Sequence, residues 1–235
     1  MKINILIVTV CILFAGIVSG FVPPAGENTI ALAVKIIHDV SRKPADLDWT
    51  TAKKGDMLYS GDQVRTGERS IAIVKFKDNS MLRVRESSEL KLFGETKDGV
   101  FSKTVNVSRG EFTFDIEKQK ANEKFTFSSP TSVAAIRGTK GTMNHGDLGD
   151  KVVILDGLVN LLNSFSNKNV DVGSGETGES NSDGTIFVRK STPDELNAAR
   201  EAIDAGRGTG KAKQFDIELK DKDGNKKNLR IKYHG

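Results

Sequence analysis

Apolar and polar residues alternate along most of this chain, in short runs separated by turn-forming residues. Ile30, Leu32, Val34 and Ile36 keep a period of two, which predicts a strand. Ala72, Val74 and Phe76 share one face. The turn residues Lys77-Asp78-Asn79-Ser80 follow, and Leu82 and Val84 then alternate with Arg83 and Arg85, completing a predicted hairpin. Leu90 and Leu92 flank Lys91, and Val105 and Val107 flank Asn106. The cleanest run sets Phe112, Phe114 and Ile116 against Glu111, Thr113, Asp115 and Glu117, so one face is buried and the other wet. Phe125 and Phe127 begin another strand, which Pro130 ends. Residues 152–155 are continuously apolar and short enough for a strand buried on both faces, with Gly157 dividing them from Val159 and Leu161.

The remainder differs in character. Residues 164–184 are rich in Asn, Ser, Gly and Asp; Val170 and Val172 hint at a strand, with Ile186 and Val188 as its returning partner. One helix is predicted. Thr192 suits its N-cap, Pro193 its first position and Glu195 a capping box; Leu196, Ala199 and Ile203 form its apolar stripe, and Gly206 its C-cap. A Gly-rich basic linker leads to a terminal hairpin in which Phe215, Ile217 and Leu219 face Leu229, Ile231 and Tyr233 around Asp223-Gly224.

Composition agrees with a soluble globular domain: 37% hydrophobic and 28% charged residues, with 23 glycines for many turns. The formal charge of +4 and pI near 9.0 admit an anionic surface as partner. Yet the 35 basic residues interleave with 31 acidic ones and form no concentrated run, which argues against nucleic acid.

The first twenty residues have the form of a secretory signal peptide. Lys2 precedes an apolar run from Ile5 to Val18, and Val18-Ser19-Gly20 offers a cleavage site. The run is shorter than the ~20 residues that span a bilayer, so no stable membrane span is expected after cleavage. The alternative is an uncleaved anchor. Cleavage after Gly20 removes Cys11, the one cysteine, leaving neither disulfide nor thiol nucleophile. The expected location is periplasmic or extracellular.

The stretch from Trp49 to Leu162 resembles the FecR domain of bacterial envelope proteins. The resemblance lies in Trp49, KKGDMLYSGDQVRTG (53–67), IAIVKFKDNSMLRV (71–84), SRGEFTFDI (108–116), FTFSSPTSVAAIRGT (125–139) and VVILDGLVNLLN (152–163). It implies an envelope-facing all-β module engaged in protein–protein regulation. The family's namesakes couple outer-membrane transporters to a sigma factor through a cytoplasmic segment. Only Met1 to Asn4 precede the apolar run here, so that role is not expected to carry over.

The expected fold is therefore all-β: a multi-stranded antiparallel sandwich or a solenoid-like FecR domain, with a short C-terminal helix and a terminal β-hairpin. The chain divides into a signal peptide (1–20), a FecR-like β domain (21–163), a Gly/Ser/Asn-rich extension with scope for a hairpin (164–190), a helix (191–206), and a linker with the terminal hairpin (207–235).

Candidate chemistry is weak throughout. Gly55-Asp56 and Gly61-Asp62 are tight-turn elements, and Asp78 and Ser80 are expected to bond locally within their turn. Gly67, Gly110 and Gly138 mark chain reversals or close backbone approaches. Arg137 is a candidate buried cation for backbone carbonyls or Asp62, and Trp49 a candidate core residue. Gly173 to Gly178 spell G-x-G-x-x-G, but a loop from Glu179 to Gly184 is expected where a dinucleotide site needs a helix. The glycines and carboxylates of RGTKGTMNHGDLGDK (137–151) suit a flexible loop better than a phosphate or cation cradle. DKDGN (221–225) reads as a hairpin turn rather than a calcium loop. His38, His145 and His234 have no second His or Cys at metal-ligand spacing. A Ser/His/Asp triad is invisible to sequence, but no G-x-S-x-G elbow supports one. Glu111 and Asp115, as paired carboxylates, alternate onto a solvent face. The expectation is thus no catalytic, cofactor or metal site and no enzyme. The expected partner is another envelope protein, with an anionic envelope glycan (peptidoglycan or lipopolysaccharide) as the alternative.

Overall fold

The computed structural model describes residues 29–207, 213–220 and 226–233. The signal segment, most of the linker and the Asp223-Gly224 turn lie outside the described residues.

The chain opens with β1 (Ala31–Ile37), β2 (Val40–Lys43) and the two-residue strands β3 (Thr50–Thr51) and β4 (Met57–Leu58). β5 (Gln63–Thr66), β6 (Ile71–Phe76), β7 (Met81–Val84) and β8 (Glu89–Lys97) lead to the 17-residue β9 (Val100–Ile116). Four paired segments follow: β10 (Glu123–Ser128) and β11 (Ser132–Ile136), β12 (Thr139–Gly146) and β13 (Gly149–Asp156), β14 (Leu158–Asn163) and β15 (Asn169–Gly173), β16 (Glu176–Asn181) and β17 (Ile186–Lys190). Helix α1 (Pro193–Arg207) precedes the hairpin of β18 (Lys213–Lys220) and β19 (Lys226–Tyr233).

The strands up to β17 form two sheets that share β9. The first runs β4-β1-β6-β7-β9-β12-β13-β16-β17 and uses the Gly110–Ile116 half of β9. The second runs β3-β2-β5-β8-β9-β10-β11-β14-β15 and uses residues 100–109. All these pairings are antiparallel except β9–β10. The bend falls at Arg109–Gly110, where Gly110 has φ +93° and an added Cβ would sit 2.6 Å from the Ser88 Cα. Only glycine accepts both constraints.

The core lies between the sheets. Phe76, Phe112 and Phe114 of the first meet Phe125 and Phe127 of the second, with ring centroids 4.8 Å apart for Phe112–Phe127 and 5.0 Å for Phe76–Phe125. Each is at most 2% exposed, and burying such a side chain contributes about 1.5–3 kcal/mol. From β10 onward the layout is regular. Turns within a sheet (129–131, 147–148, 164–168, 182–185) gather on one rim, and crossovers between sheets (137–138, 157, 174–175) gather on the other.

The alternating runs occupy the strands expected of them, with informative departures. In β1 the buried residues are Ala31 and Ala33, and Leu32 is 38% exposed. A bulge between Ala33 and Lys35 then places Ile36 opposite Ala72; an extra residue reverses the facing of all that follows. Residues 139–150, expected as a flexible loop, form most of the β12–β13 hairpin, with Met143 fully buried. Of the loop expected from Glu179 to Gly184, residues 179–181 belong to β16 and only 182–184 form a turn, and the extension 164–190 supplies three strands. Val170 and Val172 pair with β14, not with Ile186 and Val188. β16 carries no large apolar residue, so its sequence lacks the strand signature; its inward positions are Gly178 and the fully buried Ser180, and Thr177, opposite Val153, is buried on the outer face beneath the start of α1.

Val152 and Ile154 face the inter-sheet core, and Val153 lies on the outer face beside Ala199 of α1. Ala199 and Ile203 are buried there, as the stripe predicts. The capping box forms both ways: Thr192 N donates to Glu195 Oε2 (2.9 Å) and Glu195 N to Thr192 Oγ1 (3.2 Å). The helix passes through Gly206 to Arg207. In the terminal hairpin Phe215 pairs with Ile231 and Ile217 with Leu229, while Leu219 pairs with Lys227 and Tyr233 with Lys213.

Candidate functional site

The turn rim holds a Ser, His and Asp constellation. Pro130 ends β10, and the following turn brings Ser129 and Ser132 to Asp150 at the start of β13. Ser129 Oγ donates to Asp150 Oδ2 at 2.5 Å and Ser132 Oγ to the same oxygen at 2.6 Å. His145 Nδ1 lies 2.9 Å from Asp150 Oδ1. A catalytic triad needs the hydroxyl on the imidazole and the imidazole on the acid. Here both hydroxyls bond the carboxylate. Ser129 Oγ also accepts the amides of Thr131 (3.0 Å) and Ser132 (2.9 Å), so it is fully engaged. The cluster pins the tip of the β12–β13 hairpin to the β10–β11 turn.

Asn163 does the same for the next turn. Its Nδ2 donates to Ser180 Oγ (2.9 Å) and Asn181 O (2.8 Å), and its Oδ1 accepts the amides of Phe165 (3.0 Å) and Ser166 (2.9 Å). Asp150, Ser132, Asn163 and Ser180 are all 0–2% exposed. On this fixed frame two apolar side chains stand in solvent: Leu148 is 82% exposed and Phe165 60%. Ser182 N bonds Leu148 O at 3.0 Å, joining their turns through the Asn181 corner.

The crossover rim carries an internal ion pair. Ser80 N donates to Asp78 Oδ1 (3.1 Å), the local bond expected of that turn. Asp78 Oδ2 also accepts Lys103 Nζ (2.5 Å) and Gln119 Nε2 (3.0 Å). Lys103 is 3% exposed and Gln119 4%. Burial raises the Asp78 carboxyl, but the Lys103 and Gln119 hydrogen bonds outweigh it and hold the group below its ordinary value.

The two Gly-Asp turns form as expected, each aspartate accepting the amide three residues back: Lys53 N to Asp56 Oδ2 (2.8 Å) and Tyr59 N to Asp62 Oδ2 (3.1 Å). The cation joining them is not Arg137, which is exposed. It is Arg42, 3.9 Å from both Asp56 Oδ2 and Asp62 Oδ2 and donating to Met57 O at 3.0 Å. Trp49 is half-buried rather than core; the Arg65 guanidinium lies 4.2 Å from its ring centroid.

At the helix start Glu195 accepts Arg189 at 2.8 and 2.9 Å and pairs with Lys151. The Arg189 hydrogen bond leads the causes holding the Glu195 carboxyl far below its ordinary range, and the bonds to Glu195 and Glu179 raise the Arg189 guanidinium. Glu111 pairs with Arg85 at 3.0 Å and Asp115 lies 3.9 Å from Lys140, so these carboxylates serve structural pairs. Gly173 to Gly178 wrap a strand-to-strand turn, Gly175 N bonding Ile154 O at 2.8 Å; no helix follows to meet a phosphate. Among the described residues no three His, Cys, Asp or Glu side chains group as metal ligands, and no helix is long and apolar enough to cross a membrane.

Residues 62–160 match the family model for FecR protein. The chain carries a FecR domain. The match lies within the stretch from Trp49 to Leu162 that resembles it in sequence, and the FecR region occupies the middle of the two sheets, with strands added at both ends. Two crystal structures of a candidate anti-sigma factor from Parabacteroides distasonis ATCC 8503 are similar, each at 13% identity and TM-score 0.49. They cover 58% of this chain and 63% and 62% of that protein. The chain thus spans a little under two thirds of that protein's length. No curated protein matches the chain in sequence.

Proposed function

We propose that this FecR-domain chain is a non-catalytic, exported envelope module that binds another protein through the tips of its turn rim. The observation that carries the reading is the exposure of Leu148 and Phe165 on turns held by the buried Asp150 and Asn163 networks. Exposed apolar side chains on a rigid frame lose little conformational freedom on docking, and this favours a protein partner. The polar groups beneath them are occupied with one another, which leaves no poised nucleophile. Export follows from the signal-peptide pattern of residues 1–20, and with it a periplasmic or extracellular location. Adaptor, sensor component and assembly factor are all roles of this kind.

The test is in-cell photocrosslinking from positions 148 and 165, with Leu148→Ser and Phe165→Ser variants. A discrete crosslinked partner, lost in the double variant while its melting temperature is kept, is the expected result. Unchanged capture in the double variant overturns the reading, as does a mature N-terminus still at Met1 in a cytoplasmic fraction for export.

A further inference from the structure

The crossover from β9 to β10, residues 117–122, is flanked by two clefts. One, of about 450 Å³, is lined by Gln119, Lys120, Lys124, Thr126 and Arg137 among others. The other, of about 510 Å³, is lined by Lys77, Asn79, Lys118 and Lys120 among others. Lys120 and Glu123 border both, so the clefts form one path around the crossover.

Five basic residues, dispersed over sixty positions of sequence, meet along this path: Lys77, Lys118, Lys120, Lys124 and Arg137, all exposed. The Arg137–Gly138 turn rests on the crossover itself, since a Cβ on Gly138 would lie 3.1 Å from the Lys118 Cα. The acids nearby do not cancel this charge. Asp78 is consumed by Lys103, Glu123 lies 4.0 Å from both Lys103 and Lys120, and Glu117 is the third. Gln119, at the floor of the first cleft, keeps an Oε1 with no hydrogen-bond partner. An unsatisfied buried acceptor is costly, and a hydroxyl donor, from a ligand or from water, relieves it.

We propose that this basic path binds an anionic glycan, its phosphate or carboxylate groups on the lysines and Arg137 and its hydroxyls on the amide and hydroxyl side chains between them. Charge complementarity calls for an anion and the two-cleft length for a chain. Nucleic acid is disfavoured because the path offers no exposed aromatic ring for base stacking: Phe101 is half-buried and Phe125 is 1% exposed. The site is on the rim opposite Leu148 and Phe165, so it stands whether or not the protein-binding reading does.

The experiment measures binding of the folded chain to dextran sulfate, neutral dextran, polyglutamate and a single-stranded oligonucleotide across a salt series. Dextran sulfate is expected to bind best, weakening steeply with salt, with neutral dextran silent. A Lys118→Ser/Lys120→Ser/Arg137→Ser variant is expected to lose about tenfold or more in affinity, from three lost ion contacts. A Lys53→Ser/Lys54→Ser control, which removes two exposed charges elsewhere, is expected to lose far less. The proposal fails if dextran sulfate does not bind, if polyglutamate or the oligonucleotide binds as tightly, or if both variants respond equally. Equal melting temperatures confirm that all three proteins are folded.

Discussion

Lys103 Nζ donates to Asp78 Oδ2 at 2.5 Å with only 3% of the lysine side chain and 17% of the aspartate exposed. A charge buried this far is stable only while paired, so removing one partner is worse than removing both. Asp78→Ala is expected to cost about 3 kcal/mol in urea denaturation, and Lys103→Met/Asp78→Leu less than that single change. The pH dependence follows from the depressed Asp78 carboxyl. Its contribution is present above the unfolded value of 3.8 and disappears as pH falls through the lower folded value. Acid titration of Asp78→Asn should therefore lack part of the stability loss that the parent shows below about pH 4.

Arg42 and Arg137 make opposite predictions. Arg42→Met unties the two Gly-Asp turns from each other and leaves Asp62, 2% exposed, without that cation. A loss of about 1–2 kcal/mol is expected by chemical denaturation. Arg137→Ala should fall within about 0.5 kcal/mol of the parent, as for most exposed positions.

Glu195 joins the helix cap to the sheet through Arg189 and Lys151. Glu195→Gln keeps a capping side chain but loses the charge, so hydrogen exchange of the first turn of α1 should speed up by about three- to tenfold, equivalent to roughly 1 kcal/mol. Because the folded carboxyl is strongly depressed, its contribution holds above the ordinary value of 4.5 and persists well below it. Protection of α1 should survive acidification to about pH 3 in the parent.

Gly178 lies on β16 against Val172 and Leu161. A Cβ there would come within 2.5 Å of Val172 Cγ2 and 3.2 Å of Leu161 Cδ2. Gly178→Val should destabilise by about 1–3 kcal/mol through overpacking, read as a lower melting temperature with an unchanged far-ultraviolet spectrum.

The parts of this protein that are local in sequence were legible. Period-two alternation located most strands of the FecR region, the Thr192–Glu195 spacing gave both bonds of the helix cap, and the Gly-Asp pairs gave their turns. Each depends on residues a few positions apart. Legibility failed where the inward positions are small or polar. β16 offers only Gly178 and Ser180 to the interior and Thr177 to the helix, so nothing apolar marked it. Trp49, a candidate core residue by sequence, is half-buried and stacks against Arg65 instead.

By itself the sequence determined an all-β chain, its turns, one capped helix and the FecR resemblance, because hydrophobic period and turn chemistry act over short range. Tertiary structure alone decided which distant partners meet: Arg42 rather than Arg137 with Asp62, Lys103 with Asp78, Ser129 and Ser132 with Asp150, and five dispersed basic residues along one path. The reason is physical. Folding β9 across two sheets fixes the order in which the hairpins stack, and charge pairing over such separations depends on that stacking and not on spacing in the chain.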